Sequence, residues 1–142
     1  MTGLIITGHG RFAEGMLSAL ELIAGPQNDC IAVNFEHEVG ELETDLQNAL
    51  DSLYGCGAVI IFCDLPGGSP FKTAAVLTQD RPDTAVIAGV NMPMLCEIAL
   101  TRTFQDDLSF LRDSALRTGR EQIIHLDREK LMQDEEEVTE GI

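Results

Sequence analysis

Ala58-Val59-Ile60-Ile61-Phe62-Cys63 is an apolar run with no polar interruption. A strand with one wet face alternates polar and apolar residues, so a run without alternation belongs in the middle of a parallel sheet covered on both faces. Parallel neighbours cannot be joined by a tight turn; each needs a crossover, normally a helix. The rest of the chain supplies them. A short β-branched run, a turn and a helical pattern recur in order, the signature of βαβ units.

Gly3 to Thr7 reads as the first strand, followed by a helix with Phe12, Met16, Leu20 and Ile23 on one face and a stop at Gly25-Pro26. Cys30 to Phe35 is the second strand. Leu42, Leu46, Ala49, Leu50 and Leu53 repeat at helical spacing from Gly40 to Tyr54, with Glu41, Glu43, Asp45 and Asp51 on the wet side. After the apolar run, Ser69-Pro70 is a helix start and predicts a third helix over Pro70 to Gln79. Thr84 to Gly89 reads as the fourth strand, followed by helices from about Pro93 to Arg102 and from about Gln105 to Thr118, the last closing at Gly119.

Gln122-Ile123-Ile124-His125-Leu126 is a late β-like run with no crossover after it. It is expected to pair as an edge strand, on its own sheet or on another subunit's. The fold class is therefore α/β: a single-domain open, mainly parallel sheet with helices on both faces.

At 142 residues the chain fits one domain, and 44% hydrophobic residues suffice to build the core. The formal net charge of -15 argues against nucleic acid and anionic membrane surfaces, which attract clustered Lys and Arg. No signal-peptide pattern or membrane-length apolar run is present, so a cytoplasmic protein is expected. Residues 1–126 are read as the folded domain and 127–142 as an acidic, mobile tail, whose cluster Asp134-Glu135-Glu136-Glu137 is a solvated charge run. Cys30, Cys56, Cys63 and Cys96 form no C-x-x-C pair and have no histidine at metal spacing, so reduced, mostly buried thiols are expected and no metal.

Function in an open parallel sheet collects at the carboxyl ends of the strands. Three unusual turns fall there: Thr7-Gly8-His9-Gly10, Asp64 to Pro70, and Val90 to Met94. The first and third strands are commonly neighbours, which would bring the Asp64 carboxylate to the His9 ring. A carboxylate on one ring nitrogen fixes the tautomer, frees the other nitrogen as a nucleophile and stabilises the ring when it becomes cationic. Gly67-Gly68-Ser69 then provides an anion cradle, because glycine lets backbone approach closely and the following helix offers unpaired amides. Pro70 has no amide hydrogen, so the candidate donors are the Gly68, Ser69, Phe71 and Lys72 amides. The Ser69 hydroxyl has two uses open to it, capping the helix or touching the anion. Together these describe transient phosphorylation of an imidazole nitrogen. No G-x-x-x-x-G-K-[ST] loop is present, so a carrier fits better than a kinase and no cofactor is required.

The G-H-G turn, Asp64-Leu65-Pro66-Gly67-Gly68-Ser69-Pro70-Phe71, Val86 to Leu95 and Thr118-Gly119-Arg120-Glu121, in this order, resemble the IIA component of mannose-family sugar phosphotransferase systems over about Met1 to Leu126. The resemblance implies that His9 receives phosphate on Nε2 from the phosphocarrier HPr and passes it to a IIB component, with membrane IIC and IID subunits downstream. It also implies that Asp64 bonds the other ring nitrogen, that Ser69 lies beside the phosphoryl group, and that the late strand is exchanged within a homodimer. Some members continue into a fused IIB domain; this chain stops at Ile142, so a separate IIB is expected. Leu65-Pro66 departs from many relatives without altering the chemistry. A free-standing IIA of an amino-sugar system, of the N-acetylgalactosamine and galactosamine type, is favoured. The alternatives are a IIA-like subunit of a dihydroxyacetone kinase and a non-catalytic anion-binding regulatory module.

His37, between Glu36 and Glu38, reads as a solvated turn residue, and His125 as a structural residue of the late strand. Met92-Pro93-Met94-Leu95 suits either core packing or a soft contact surface.

Overall fold

The computed structural model describes residues 1–130; the acidic cluster at 134–137 and most of the expected 127–142 tail lie outside the described residues. Four strands, β1 (Gly3–His9), β2 (Cys30–Phe35), β3 (Val59–Cys63) and β4 (Thr84–Ala88), form one all-parallel sheet in the order β2-β1-β3-β4. The helices are α1 (Phe12–Ala24), α2 (Val39–Ser52), α3 (Ser69–Thr78), α4 (Met92–Thr101) and α5 (Leu108–Glu121).

Two cores explain why β1 and β3 do not alternate in hydrophobicity. Leu4, Ile6, Ile60 and Phe62 pack with Ala13 and Leu20 of α1, Leu95 and Ile98 of α4 and Leu111 of α5. Ile5, Ile61 and Cys63 point the other way, against Leu42, Leu46 and Leu50 of α2 and Ala74 of α3. Side chains of a strand leave alternately on opposite faces, so covering both faces demands an apolar residue at every position. Each fully buried Leu, Ile or Phe contributes about 1.5–3 kcal/mol.

The connections are tied at their amino end by Arg102, which follows α4 and is only 2% exposed. Its Nη1 donates to the Thr2 carbonyl at 2.9 Å and the Asp29 carbonyl at 3.3 Å; Nη2 donates to Gln27 Oε1 at 3.1 Å and to the Asn28 carbonyl. Burial pushes its pKa down, and the nearby Cys30, Asp29 and Cys56 oppose that shift. One side chain thereby fixes α4 to the starts of β1 and β2.

Several boundaries differ from those expected. α3 begins at Ser69 with Gly68 as its N-cap, so Ser69 lies inside the first turn and does not cap the helix. α4 starts at Met92, where the Asn91 side chain accepts from the Met94 amide at 3.1 Å; Met94 and Leu95 are core residues. α5 starts later than expected, at the Asp107 cap, and runs through Gly119 instead of closing there. Gly119 is a packing residue: a Cβ on it would lie 2.6 Å from Met94 Cε, and its carbonyl accepts from Asn91 Nδ2 at 2.8 Å. Ile23 is 63% exposed and drops off the expected face of α1.

The late strand does not form. Residues 123–127 have no regular structure, His125 is exposed, and Ile123 and Ile124 are 75% and 83% exposed. A strand is stable only when its backbone groups meet a neighbouring edge, and within a single chain this segment finds none. The four cysteines are free, but only Cys63 is fully buried, the other three being half-buried, which corrects the expectation of mostly buried thiols. Burial pushes the Cys30 and Cys63 thiols up to about 11 and about 12, so both are protonated at neutral pH. No helix among the described residues is long and apolar enough to cross a membrane.

Candidate functional site

The strand order puts β1 beside β3, with Thr7 in register with Cys63. The next residues along, His9 at the end of β1 and Asp64 just after β3, therefore emerge at the same carboxyl edge. Asp64 Oδ2 lies 2.8 Å from His9 Nδ1 and also accepts the His9 backbone amide at 2.9 Å; Oδ1 accepts the Leu65 amide at 2.8 Å. The Asp64 side chain is 11% exposed and that of His9 is 46% exposed.

Burial alone would raise the Asp64 pKa. The hydrogen bonds from the His9 amide, the His9 ring and the Leu65 amide, with the attraction of the ring's charge, outweigh it and hold the carboxyl below its ordinary value. An ionised carboxylate can only accept, so in the neutral ring Nδ1 carries the proton and the lone pair sits on Nε2. That nitrogen takes no part in the Asp64 contact and belongs to a side chain that is nearly half exposed.

Gly67 and Gly68 do different work in the turn before α3. Gly67 has a φ of +79°, which glycine adopts without strain, and bends the chain. Gly68 brings its backbone against the imidazole: a Cβ there would stand 2.8 Å from His9 Cε1 and 3.5 Å from Nε2. Because Gly68 is the N-cap, the amides of Gly68, Ser69 and Phe71 fall in the first turn, which has no preceding turn to receive them. Lys72 drops out of the expected donor set, its amide being committed to the Gly68 carbonyl at 2.9 Å. The Gly68 backbone, and with it the positive end of α3, thus lies beside the imidazole, an arrangement suited to an oxyanion.

The structure brings together His9, Asp64 and Gly68, with Ser69 and Phe71 in the turn that follows. His37 and His125 are both exposed and take no part. Among the described residues no three His, Cys, Asp or Glu side chains converge to hold a metal ion. One neighbour of His9 was missed from the sequence: the Phe35 ring, whose centroid is 5.7 Å from that of the imidazole. The available signal was an aromatic residue ending the strand that flanks β1 on its other side.

The chain belongs to the EIIA-man family, the fructose IIA components of the sugar phosphotransferase system (PTS), whose profile matches residues 3–116. The mannose-specific EIIAB component of Escherichia coli K12 is 39% identical over 126 residues, covering 85% of this chain and 38% of that protein, so the chain spans well under half the length of this relative. The fructose-specific EIIA component of Bacillus subtilis is 32% identical over 104 residues, 72% of this chain and 71% of that one. Among solved structures, the phosphotransferase system component EIIA of Streptococcus agalactiae superimposes with a TM-score of 0.81 at 32% identity, covering 88% of this chain and 97% of its own. The mannose/sorbose-specific IIA subunit of Enterococcus faecalis also gives 0.81, at 25% identity, with 89% and 95% covered. The mannose-family IIA resemblance read from the motifs therefore holds at the level of the family.

Proposed function

We propose that His9 is a phosphoryl carrier, taking phosphate from HPr and passing it to a IIB component for sugar uptake. The observation that supports this most directly is the 2.8 Å contact between His9 Nδ1 and Asp64, which leaves Nε2 free with its lone pair. In the loading step that lone pair forms a bond to phosphorus as the N–P bond of the donor phosphohistidine breaks. The donor imidazole leaves with the bonding electrons. No metal or nucleotide is needed, because one N–P bond replaces another.

Asp64 compensates the positive charge that develops on the ring and keeps the Nδ1 proton in place. The amides of Gly68, Ser69 and Phe71 receive the phosphoryl oxygens, and the Ser69 hydroxyl, not used as a cap, donates to one of them. Unloading to IIB reverses the same steps, with the IIC and IID membrane subunits downstream. We also assign a homodimer, in which the exposed apolar segment Ile123-Ile124 pairs with a partner's sheet edge; a monomeric mass at micromolar concentration would contradict it. The amino-sugar subdivision rests on the motif resemblance, whereas two of the relatives described above are mannose- and fructose-specific proteins. Uptake assays with N-acetylgalactosamine, mannose and fructose separate these.

The deciding experiment is incubation with labelled phosphoenolpyruvate, the upstream enzyme and HPr. Label is expected on His9, lost on adding a IIB acceptor and absent from His9→Gln. A His9→Gln protein that takes up label at the wild-type rate would overturn the assignment. Onward transfer to a dihydroxyacetone kinase instead of IIB would move the protein to the rival role.

A further inference from the structure

The histidine side chain ends in a flat ring whose last torsion is broad and roughly two-fold, so one hydrogen bond does not fix where Nε2 points. A half-turn is blocked, because it would put Cδ2 where Nδ1 meets Asp64, but a smaller swing about the Nδ1 contact tilts the lone pair away from its target. Asp64 holds one ring corner and the Gly68 backbone closes off the Cε1 side. The plane of the ring needs a third support.

Phe35 supplies it. His9 and Phe35 are register partners on β1 and β2. Their centroids are 5.7 Å apart with planes at 62°, the T-shaped arrangement that aromatic quadrupoles favour. The Phe35 carbonyl also accepts the Gly10 amide at 2.7 Å, so the backbone carrying the phenyl ring is tied to the turn carrying the imidazole. Phe35 has no titratable group and cannot exchange a proton; what it offers His9 is geometry.

We propose that Phe35 is a positioning residue for phosphoryl transfer: its ring fixes the imidazole plane so that Nε2 meets the incoming phosphorus along one line. This rests on the carrier reading of His9. Misplacing a reacting atom by about 1 Å can cost a hundredfold in rate, so partial loss of one of three supports is expected to cost roughly tenfold.

The test compares Phe35→Leu and Phe35→Tyr in the full chain. Phe35→Leu should lower the first-order rate of label transfer from HPr to His9 by roughly tenfold, while the HPr concentration giving half-maximal rate changes by less than about twofold. Phe35→Tyr, which keeps the aromatic ring, should return the rate to within about twofold of wild type. NMR supplies a readout that needs no donor. The Overhauser contact between the His9 Cε1 proton and the Gly68 Hα protons should be strong in the wild type and the Tyr variant, and weak in the Leu variant. A Leu variant with wild-type rate and contact overturns the proposal, as does equal loss in Leu and Tyr that follows a fall in thermal stability. A wild-type chain that never accepts label sinks the carrier reading itself; a labelled wild type with an indifferent Leu variant sinks only the role of Phe35.

Discussion

The two ends of the sheet each hold one long-range polar knot, and they differ in what they leave over. At the amino end Arg102 is 2% exposed, and both of its terminal nitrogens are spent on carbonyl and amide oxygens from residues 2 and 27–29. At the carboxyl end Asp64 is only partly covered, and its partner His9 is 46% exposed and keeps a ring nitrogen unused. With both terminal nitrogens consumed and Nε buried without a partner, Arg102 can only hold parts together. A covered group that orients an exposed one can prepare it for reaction.

Three substitutions test that division. Arg102→Met strips a buried cation from the carbonyls of Thr2, Asn28 and Asp29 and should cost about 3 kcal/mol of stability, seen as a lowered urea midpoint. Label transfer by the protein still folded should be unchanged; a slower rate at an unaltered midpoint would erase the contrast between the two ends. Gly68→Ala should act the opposite way. Its Cβ, 2.8 Å from His9 Cε1, forces the ring to move, so transfer should fall by about a hundredfold, with stability changed by no more than about 1 kcal/mol. Wild-type transfer in this variant would mean the ring position is not critical.

Asp64→Asn removes the charge but keeps the shape, and should slow transfer by about ten- to a hundredfold, as loss of an orienting partner typically does. It also sharpens the comparison through pH. The Asp64 carboxyl is held below its ordinary value, so the folded chain binds that proton less readily than the unfolded chain. Its contribution to stability is complete above the unfolded carboxylate value of about 3.9 and is lost as pH falls through the lowered folded value. Unfolding free energy measured from pH 6 down to about pH 2 should fall less steeply in Asp64→Asn than in the wild type. Superimposable acid limbs would contradict the direction of the shift.

The sheet was largely legible because burial on both faces leaves an unmistakable record in Ile60, Ile61 and Phe62, and the pairing of β1 with β3 followed from the usual neighbours. His9 and Asp64 were legible for the same reason, standing at the ends of adjacent strands. What the pattern does not encode is side-chain contact between distant residues. Gly119 looks like a helix stop in one dimension and is a notch for Met94 in three. Ser69 looks like a cap until Gly68 is drawn in against His9 and takes that place. Phe35 is an ordinary strand residue until β2 is laid beside β1. The segment from Gln122 to Leu126 has the composition of a strand but finds no edge to join within its own chain, and composition cannot provide one.

With Nδ1 committed to Asp64, the imidazole has a single nitrogen to offer, and that has a consequence for traffic. Two proteins cannot dock on a single atom together, so in the carrier role proposed for His9 donor and acceptor would call in turn, each excluding the other while it is there. An excess of empty acceptor would therefore throttle loading, and flux through such a carrier would peak at an intermediate ratio of the two.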